Sequence, residues 1–170
     1  ITLTKESTIT DNDGDTATDS ATLNIGANIS FLDDGPSITV STTEENEATL
    51  QVDESDLRVD HDGVSFAASF SNTSDAGADG QDGNVETTYA LGVKATDSDS
   101  GLVDTATGQA VILNVVNGVV VGSVEINGVD TTVFTVTTNN SGEVSLDQVR
   151  AMEHGNTDDH NEVSATITDD

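Results

Sequence analysis

Acidic side chains gathered in short turns are the residues of this sequence best suited to chemistry. In the segment DNDGD, Asp11, Asp13 and Asp15 stand at alternate positions around Gly14. Three carboxylates this close repel one another unless a cation lies among them, and Ca2+ takes six to eight hard oxygen ligands. The spacing therefore predicts a calcium site in this loop. The alternative is a solvated hairpin tip, for which Asp and Gly are ordinary residues.

This loop does not follow the EF-hand pattern, because its glycine is the fourth residue and Thr22 stands at the twelfth position, where that motif requires glutamate. Other acidic segments add candidate calcium ligands. In LDDG, VDESD and VDHDG these are Asp33, Asp34, Asp53, Asp56, Asp60 and Asp62. Weaker acidic turns contain Asp75, Asp79, Asp82, Asp97, Asp99 and Asp104. An ion shared by Asp33 or Asp34 and a neighbouring loop would fix the angle between structural units.

The sequence offers little for catalysis. His61, His154 and His160 are scattered, without HxH or HxxxH spacing, and are interpreted as exposed loop residues. A zinc or nickel site formed by His154 and His160 with the acidic residues between them is the alternative. There is no nucleophile elbow, phosphate loop or Cys–His pair, and a sugar-cleaving cleft would normally use Trp, which is absent. We therefore predict that this chain is not an enzyme.

Net charge limits the possible partners. The 170 residues include 32 acidic and 4 basic side chains, for a formal charge of −28. Nucleic acids and anionic membranes need clusters of Lys and Arg, so both are predicted not to be partners. No apolar stretch is long enough to span a membrane. The self-repulsion must be offset, either by bound cations or by the high salt of a halophilic environment. Because the acidic residues cluster in turns, specific cation sites are favoured.

Hydrophobic alternation predicts an all-β protein. Apolar residues recur at every second position over 21–31, 64–70 and 85–95, which indicates strands with one buried face. Further strands are predicted at 1–10, 37–42, 110–116, 119–126, 129–138 and 162–168. Asn-Gly pairs at 117–118 and 127–128 predict tight hairpins. About nine strands with polar turns indicate an antiparallel, Ig-like or Greek-key β-sandwich. One short helix is predicted at 146–153, from a capping-box spacing and from Leu146, Val149 and Met152.

Near-identical words open and close the chain. STITDND at 7–13 and ATITDD at 165–170 place Ile9 and Ile167 at equivalent positions, which indicates one repeat of a tandem array with a short overlap. We interpret 1–31 as the closing β-hairpin of one repeat, or as the N-terminal hairpin of the same fold. Residues 32–36, with the sole proline, are read as a DDGP linker, and 37–170 as the main sandwich. A tight turn inside one domain is the alternative for 32–36.

Several longer words then suggest a family. In chain order they are TITDNDGDTATDSATLNIG (8–26), FLDDGPSI (31–38), VDESDL (52–57), TTYALGV (87–93), GLVDTATGQAVIL (101–113) and GEVSLDQVRAMEH (142–154). Together they closely resemble the long tandem repeat of giant type I-secreted bacterial surface adhesins, often called RTX adhesins. In some of these adhesins a related "split" module carries an inserted ligand-binding domain. The glycine-rich G-G-x-G-x-D repeats of the family are absent from this chain.

The resemblance implies a calcium-dependent β-sandwich module of a very long extracellular protein on the bacterial cell surface. Its cofactor would be Ca2+, and its partners would be the neighbouring repeats of the same chain. Such arrays hold ligand-binding domains away from the cell and support attachment and biofilm formation. A lectin-like module, in which calcium bridges Asp side chains to sugar hydroxyls, is the alternative function within the same kind of adhesin.

Overall fold

The computed structural model describes residues 1–43, 48–58, 61–155 and 165–168, the side chain of His61 excepted. The chain divides into two compact units. The smaller unit consists of Ile1–Ser37 and Asp75–Gln81, and the larger of Ile38–Ser74 and Asp82–Asp170.

The described residues form an all-β structure, which confirms the predicted fold class. In chain order the strands are β1 (Thr2–Thr10), β2 (Thr16–Asn24), β3 (Ser37–Thr42), β4 (His61–Ser65), β5 (Phe70–Asp75), β6 (Ser98–Asp104), β7 (Gln109–Val116), β8 (Val119–Ile126), β9 (Val129–Thr138) and β10 (Glu143–Gln148). Single 3-10 turns lie at Gly26–Asn28, Glu54–Asp56 and Ala67–Ser69. β1 pairs with β2, and β3 pairs with β5.

A six-stranded antiparallel sheet forms the centre of the larger unit, in the order β4-β10-β9-β8-β7-β6. From β6 to β10 the strands follow one another as a meander, and β4 is added beside β10. Both predicted Asn-Gly hairpins are confirmed: Asn117 and Gly118 have φ of 52° and 82°, and Asn127 and Gly128 have φ of 54° and 78°. Positive φ at both central residues gives the turn whose twist matches that of the flanking strands.

The hydrophobic core lies in this sheet and is built almost entirely from aliphatic side chains. Its buried members are Leu102, Val111, Leu113, Val120, Val124, Val133 and Phe134. Leu91 and Val93, in a segment without ladder pairing, pack against it. Gly122 stands directly opposite Phe134, and a Cβ on Gly122 would collide with the Phe134 ring. The missing side chain on β8 therefore makes room for the one large aromatic residue of the core.

The smaller unit contains the hairpin β1–β2, whose register pairs Leu3 with Leu23 and Thr8 with Thr18. Its even-numbered positions form a face that is mostly threonine, where hydroxyls of cross-strand neighbours are 2.8 Å apart. Its odd-numbered positions form a largely apolar face. Every residue of both strands is exposed, although a two-stranded hairpin is at best marginally stable in water.

The short helix predicted at 146–153 is wrong. Residues Glu143–Gln148 form β10, which pairs with β9 on one side and with β4 on the other. The period-three recurrence of Leu146, Val149 and Met152 was a coincidence of spacing. The ladder hydrogen bonds on both sides of β10 outweigh any local helix preference, because a strand flanked by two partners satisfies nearly all of its backbone groups.

Three predicted strands are only partly right. The alternation over 21–31 stops being a strand at Asn24, and a 3-10 turn interrupts the pattern over 64–70. Residues 85–95 belong to no strand, but their alternation is real, since Tyr89, Leu91 and Val93 are half-buried while their neighbours are exposed. The strand predicted at 162–168 lies largely outside the described residues, and 165–168 are not assigned to a strand.

Candidate metal centre

The loop between β1 and β2, Asp11–Asp15, is called the acidic loop below. It is a tight turn closed by its own backbone, because Asp11 and Asp15 exchange a hydrogen bond of 2.9 Å from the Asp11 N–H to the Asp15 carbonyl. The Gly14 N–H donates to the Asp11 carbonyl at 3.2 Å, and the Asp15 N–H donates to the Asp11 carboxylate at 2.9 Å. The turn thereby directs its side chains to one side of the hairpin end.

Three carboxylates of the acidic loop converge. One oxygen each of Asp11, Asp13 and Asp15 lies within 4.8 Å of the others, and all three side chains are exposed. Ca2+ binds oxygen at about 2.3–2.6 Å, so two ligands of one ion lie at most about 5 Å apart. These three side chains could therefore hold one metal ion. In the described part of the chain they are the one group of three acidic or histidine side chains gathered this closely.

Electrostatics within the acidic loop favours negative charge on Asp11. The Asp13 side chain hydrogen-bonds to Asp11 and is the largest cause that lowers the pKa of Asp11, followed by the backbone N–H of Asp15. A carboxylate that accepts such hydrogen bonds stays ionised to lower pH. Asp11 is consequently a charged oxygen ligand throughout the neutral range.

Asp53 and Asp56 stand on a 3-10 turn and have local structural roles. The Asp53 carboxylate accepts hydrogen bonds from the Ser55 hydroxyl at 2.6 Å and the Ser55 N–H at 2.9 Å, which lower the pKa of Asp53 in that order. It therefore caps the turn Glu54–Asp56. Asp56 accepts from the Arg58 backbone N–H at 3.2 Å and from its Nε at 3.3 Å.

Asp62 lies on β4, where its two carboxylate oxygens accept from the Gly63 N–H at 2.8 Å and from the Gln51 N–H at 3.0 Å. Asp60 lies outside the described residues. Asp33 and Asp34 are exposed in the irregular segment before β3, and the Asp34 carbonyl lies against Gly77 within the smaller unit. None of these predicted ligands joins a group of three in the described residues.

The histidines do not form a metal site in the described residues. His154 Nε2 is 3.6 Å from a Glu54 carboxylate oxygen, and that same oxygen accepts hydrogen bonds from Gln148 Nε2 at 2.6 Å and the Met152 N–H at 2.8 Å. The Glu54 carboxylate thus ties the turn at 54–56 to the segment that follows β10. His160 lies outside the described residues, and nothing is described of the His61 side chain.

An ion pair that the sequence did not reveal lies at the end of β6. Arg150 donates from Nε to Asp104 Oδ1 at 2.7 Å and from Nη2 to Oδ2 at 3.0 Å, and the Asp104 side chain is completely buried. Thr107 adds donors from its hydroxyl at 2.7 Å and its N–H at 2.9 Å. Chiefly because of Arg150, the pKa of Asp104 falls to about 2. Asp104, one of the weaker predicted calcium ligands, is therefore a partner of arginine.

In the sequence, the signal for this pair was the scarcity of basic residues. With 4 Lys and Arg in 170 residues, an arginine placed between apolar neighbours, as in VRAM, points to a buried role. Its acidic partner, 46 positions away, could not be chosen among 32 candidates.

Within the described residues no helix has the length and apolar character needed to cross a membrane. Neither a curated protein nor a solved structure matches the chain. One family model does match, described as a domain of unknown function (DUF5801), over residues 49–170. That range includes the whole six-stranded sheet and the Asp104–Arg150 pair but not the acidic loop. Because the match extends over most of the sequence, the chain belongs to the DUF5801 family.

Proposed function

We propose that this chain is a calcium-stabilised structural module of a large, secreted bacterial surface adhesin, and that it helps to project ligand-binding domains for attachment and biofilm formation. The observation that carries the proposal is the convergence of three carboxylates of the acidic loop within 4.8 Å. The all-β architecture and the resemblance of the sequence to RTX adhesin repeats support it. Type I secretion and a place outside the cell are parts of the same proposal.

The physical basis of the proposed function is charge. A net charge of −28 opposes a compact fold, and the buried core contains only aliphatic residues and one phenylalanine. Each bound calcium ion offsets two negative charges. It also replaces repulsion within the acidic loop by attraction to a common centre, which stiffens the end of the hairpin. Hard oxygen ligands in a loop with exposed carboxylates suit Ca2+ better than softer metals.

Calcium concentration then separates the two sides of the membrane. Extracellular calcium-binding modules have dissociation constants of about 0.1–1 mM. At about 1 mM calcium, binding linked to folding adds about 0.4–1.4 kcal/mol for each such ion. In the calcium-poor cytosol this contribution is absent. The chain would be less stable before secretion, which favours threading, and more rigid after it.

The proposal is tested by measuring thermal unfolding and calorimetric calcium binding with and without EDTA. At about 1 mM calcium we expect a rise in Tm of roughly 1–5 °C per ion. The variant Asp13→Ala should lose one binding event and its share of that rise. The matched control is Asp19→Ala, which removes another exposed carboxylate of the same hairpin, outside the acidic loop, and should bind calcium as the wild type does.

Potassium chloride separates a specific calcium site from general screening of charge. If molar KCl raises Tm as much as millimolar calcium, and Asp13→Ala binds calcium like Asp19→Ala, the acidic loop is not a calcium site and the proposal fails. Calcium saturation at a defined stoichiometry, lost in Asp13→Ala alone, is the expected result.

Exposure of the acidic loop also favours a second candidate function, calcium-dependent glycan binding. Its carboxylates face solvent, so an ion held by them keeps coordination positions that sugar hydroxyls could occupy. A glycan array probed with calcium and again with EDTA distinguishes the two functions. Calcium-dependent glycan signals that disappear in Asp13→Ala would favour the lectin-like module, and an array without such signals would favour the structural one.

A further inference from the structure

The outer edge of β6 is contacted by a segment that repeats the sequence of β1. β6 is the last strand of the six-stranded sheet, so one of its edges has no ladder strand among the described residues. There, the Thr168 N–H donates to the Ser100 carbonyl at 2.9 Å, and the Thr168 hydroxyl donates to the same oxygen at 3.4 Å. Gly101 lacks the Cβ that would collide with the Thr168 hydroxyl, so the segment can approach closely.

The segment that contains Thr168 has a near-copy in the hairpin. Residues 165–168 read ATIT and residues 7–10 read STIT, and an aspartate follows each. Thr168 is therefore equivalent to Thr10, the last residue of β1. A sequence that binds β6 in one copy is present in another copy on a fully exposed strand.

The backbone of β1 is oriented correctly for the same bond. The Ile25 N–H donates to the Ile1 carbonyl, and the Asp11 N–H donates to the Asp15 carbonyl. Because bonded and non-bonded pairs alternate in an antiparallel ladder, the odd-numbered residues of β1 bond to β2. The N–H of Thr10 therefore points away from β2, to the open edge of the hairpin. Thr10 offers the group that Thr168 uses on Ser100.

The hairpin also behaves as an element that needs a partner. Ile1, Leu3, Ile9 and Leu23 share one face of it and are 60–77% exposed. An unpaired strand edge is a template for another chain, and addition to a larger sheet is a common way for a strand to gain stability.

From these observations we propose that β6 is a docking edge for the β1–β2 hairpin of a second copy of this chain. Thr10 of that hairpin donates its N–H to the Ser100 carbonyl and displaces residues 165–168. The contact is head to tail, so it links successive copies rather than closing a symmetric pair. The high negative charge of each copy opposes the association, so it is expected to be weak and to strengthen with salt.

Sedimentation velocity of the full chain, over a wide concentration range and with calcium present, tests this proposal. Wild type should associate reversibly. Thr10→Pro, which removes the outward N–H without removing a hairpin bond, should weaken association about fivefold to tenfold. Thr10→Ala keeps the N–H and should behave as wild type. Thr18→Pro removes an outward N–H from β2, the opposite edge of the hairpin, and should also leave association unchanged.

Thr168→Pro provides the opposite change, because it removes the competing intrachain donor from Ser100. It should strengthen association, whereas Thr10→Pro weakens it. Circular dichroism of each variant checks that the strands are retained. The proposal is overturned if wild type and Thr168→Pro remain monomeric at every concentration, or if Thr10→Pro associates as Thr10→Ala does. Association that EDTA abolishes while Thr10→Pro leaves it intact would indicate metal bridging between acidic loops, and would overturn the proposal as well.

Discussion

Replacing Arg150 by leucine is expected to destabilise the larger unit strongly. The change removes both guanidinium hydrogen bonds to Asp104, at 2.7 and 3.0 Å. It leaves a completely buried carboxylate with donors from Thr107 alone among the contacts described. A buried charge that loses its partner cannot regain water without opening the structure around it. The turn from β6 to β7 and the chain after β10 would lose their shared anchor.

Two independent arguments give the size of the effect. Breaking a buried ion pair by removing one partner costs about 3–5 kcal/mol. The decrease in the pKa of Asp104 from 3.8 to about 2 corresponds to about 2 kcal/mol of preference for the ionised form. The second value is smaller because it compares the paired carboxylate with an ordinary one in water, whereas deletion also leaves the desolvation uncompensated. We expect a loss of about 2–5 kcal/mol, a large part of the total of a typical domain.

Acidity gives this prediction a signature of its own. In the wild type the folded pKa of Asp104 lies below the unfolded value, so the stabilisation is present at pH above about 4 and is lost as the pH falls towards about 2. In Arg150→Leu, burial without the cation raises the pKa of Asp104, and protonation of the folded state then recovers stability at low pH. The difference between the two proteins should therefore be smaller at pH 4 than at pH 7.

Urea unfolding followed by circular dichroism at both pH values measures the effect. Arg58→Leu is the control, because Arg58 is 90% exposed and its 3.3 Å pair with Asp56 is open to solvent; it should cost less than about 1 kcal/mol. Replacing Asp104 and Arg150 together by leucine should cost less than Arg150→Leu alone. The reasoning is refuted if Arg150→Leu costs no more than Arg58→Leu, or if its cost is the same at pH 4 and pH 7.

Other predictions concern the core and the acidic loop. Gly122→Val places side-chain atoms against the Phe134 ring, whose Cζ would lie 2.6 Å from the new Cβ, and should cost at least about 1–3 kcal/mol. Gly92→Ala, with nothing within 4 Å, should leave Tm nearly unchanged in the same calorimetric scan. Leu113→Ala should cost about 2–5 kcal/mol through its cavity, whereas Val129→Ala on the surface should cost under about 0.5 kcal/mol; equal losses in urea would contradict the assigned core. Calorimetric calcium affinity should fall between pH 7 and pH 4, because carboxylate ligands must be ionised to bind, and an affinity independent of pH would argue against ligation by the acidic loop.

Local signals in the sequence predicted the meander and the acidic loop well. The strands from β7 to β9 agree with the prediction to within a residue, because period-two alternation and Asn-Gly turns act over a few neighbouring residues. The convergence of Asp11, Asp13 and Asp15 was predictable for the same reason, since all three belong to a single turn.

Wherever distant parts of the chain compete with local preference, the prediction failed. Leu146, Val149 and Met152 have helical spacing, but pairing of β10 with β4 and β9 makes the first of them a strand residue. Alternation over 64–70 continues through a 3-10 turn at Ala67–Ser69, where the chain leaves one sheet and enters another. A periodicity records which residues are apolar, but it does not record where the chain bends.

By itself the sequence determined the all-β class, the acidic loop and the excess of negative charge, because composition, alternation and turn chemistry are properties of short segments. Only the tertiary structure decided that Asp104 is paired with Arg150, that β10 is a strand, and that residues 165–168 lie against β6. Each of these depends on contacts between residues far apart in the chain, where burial sets the cost of an unpaired charge or backbone group.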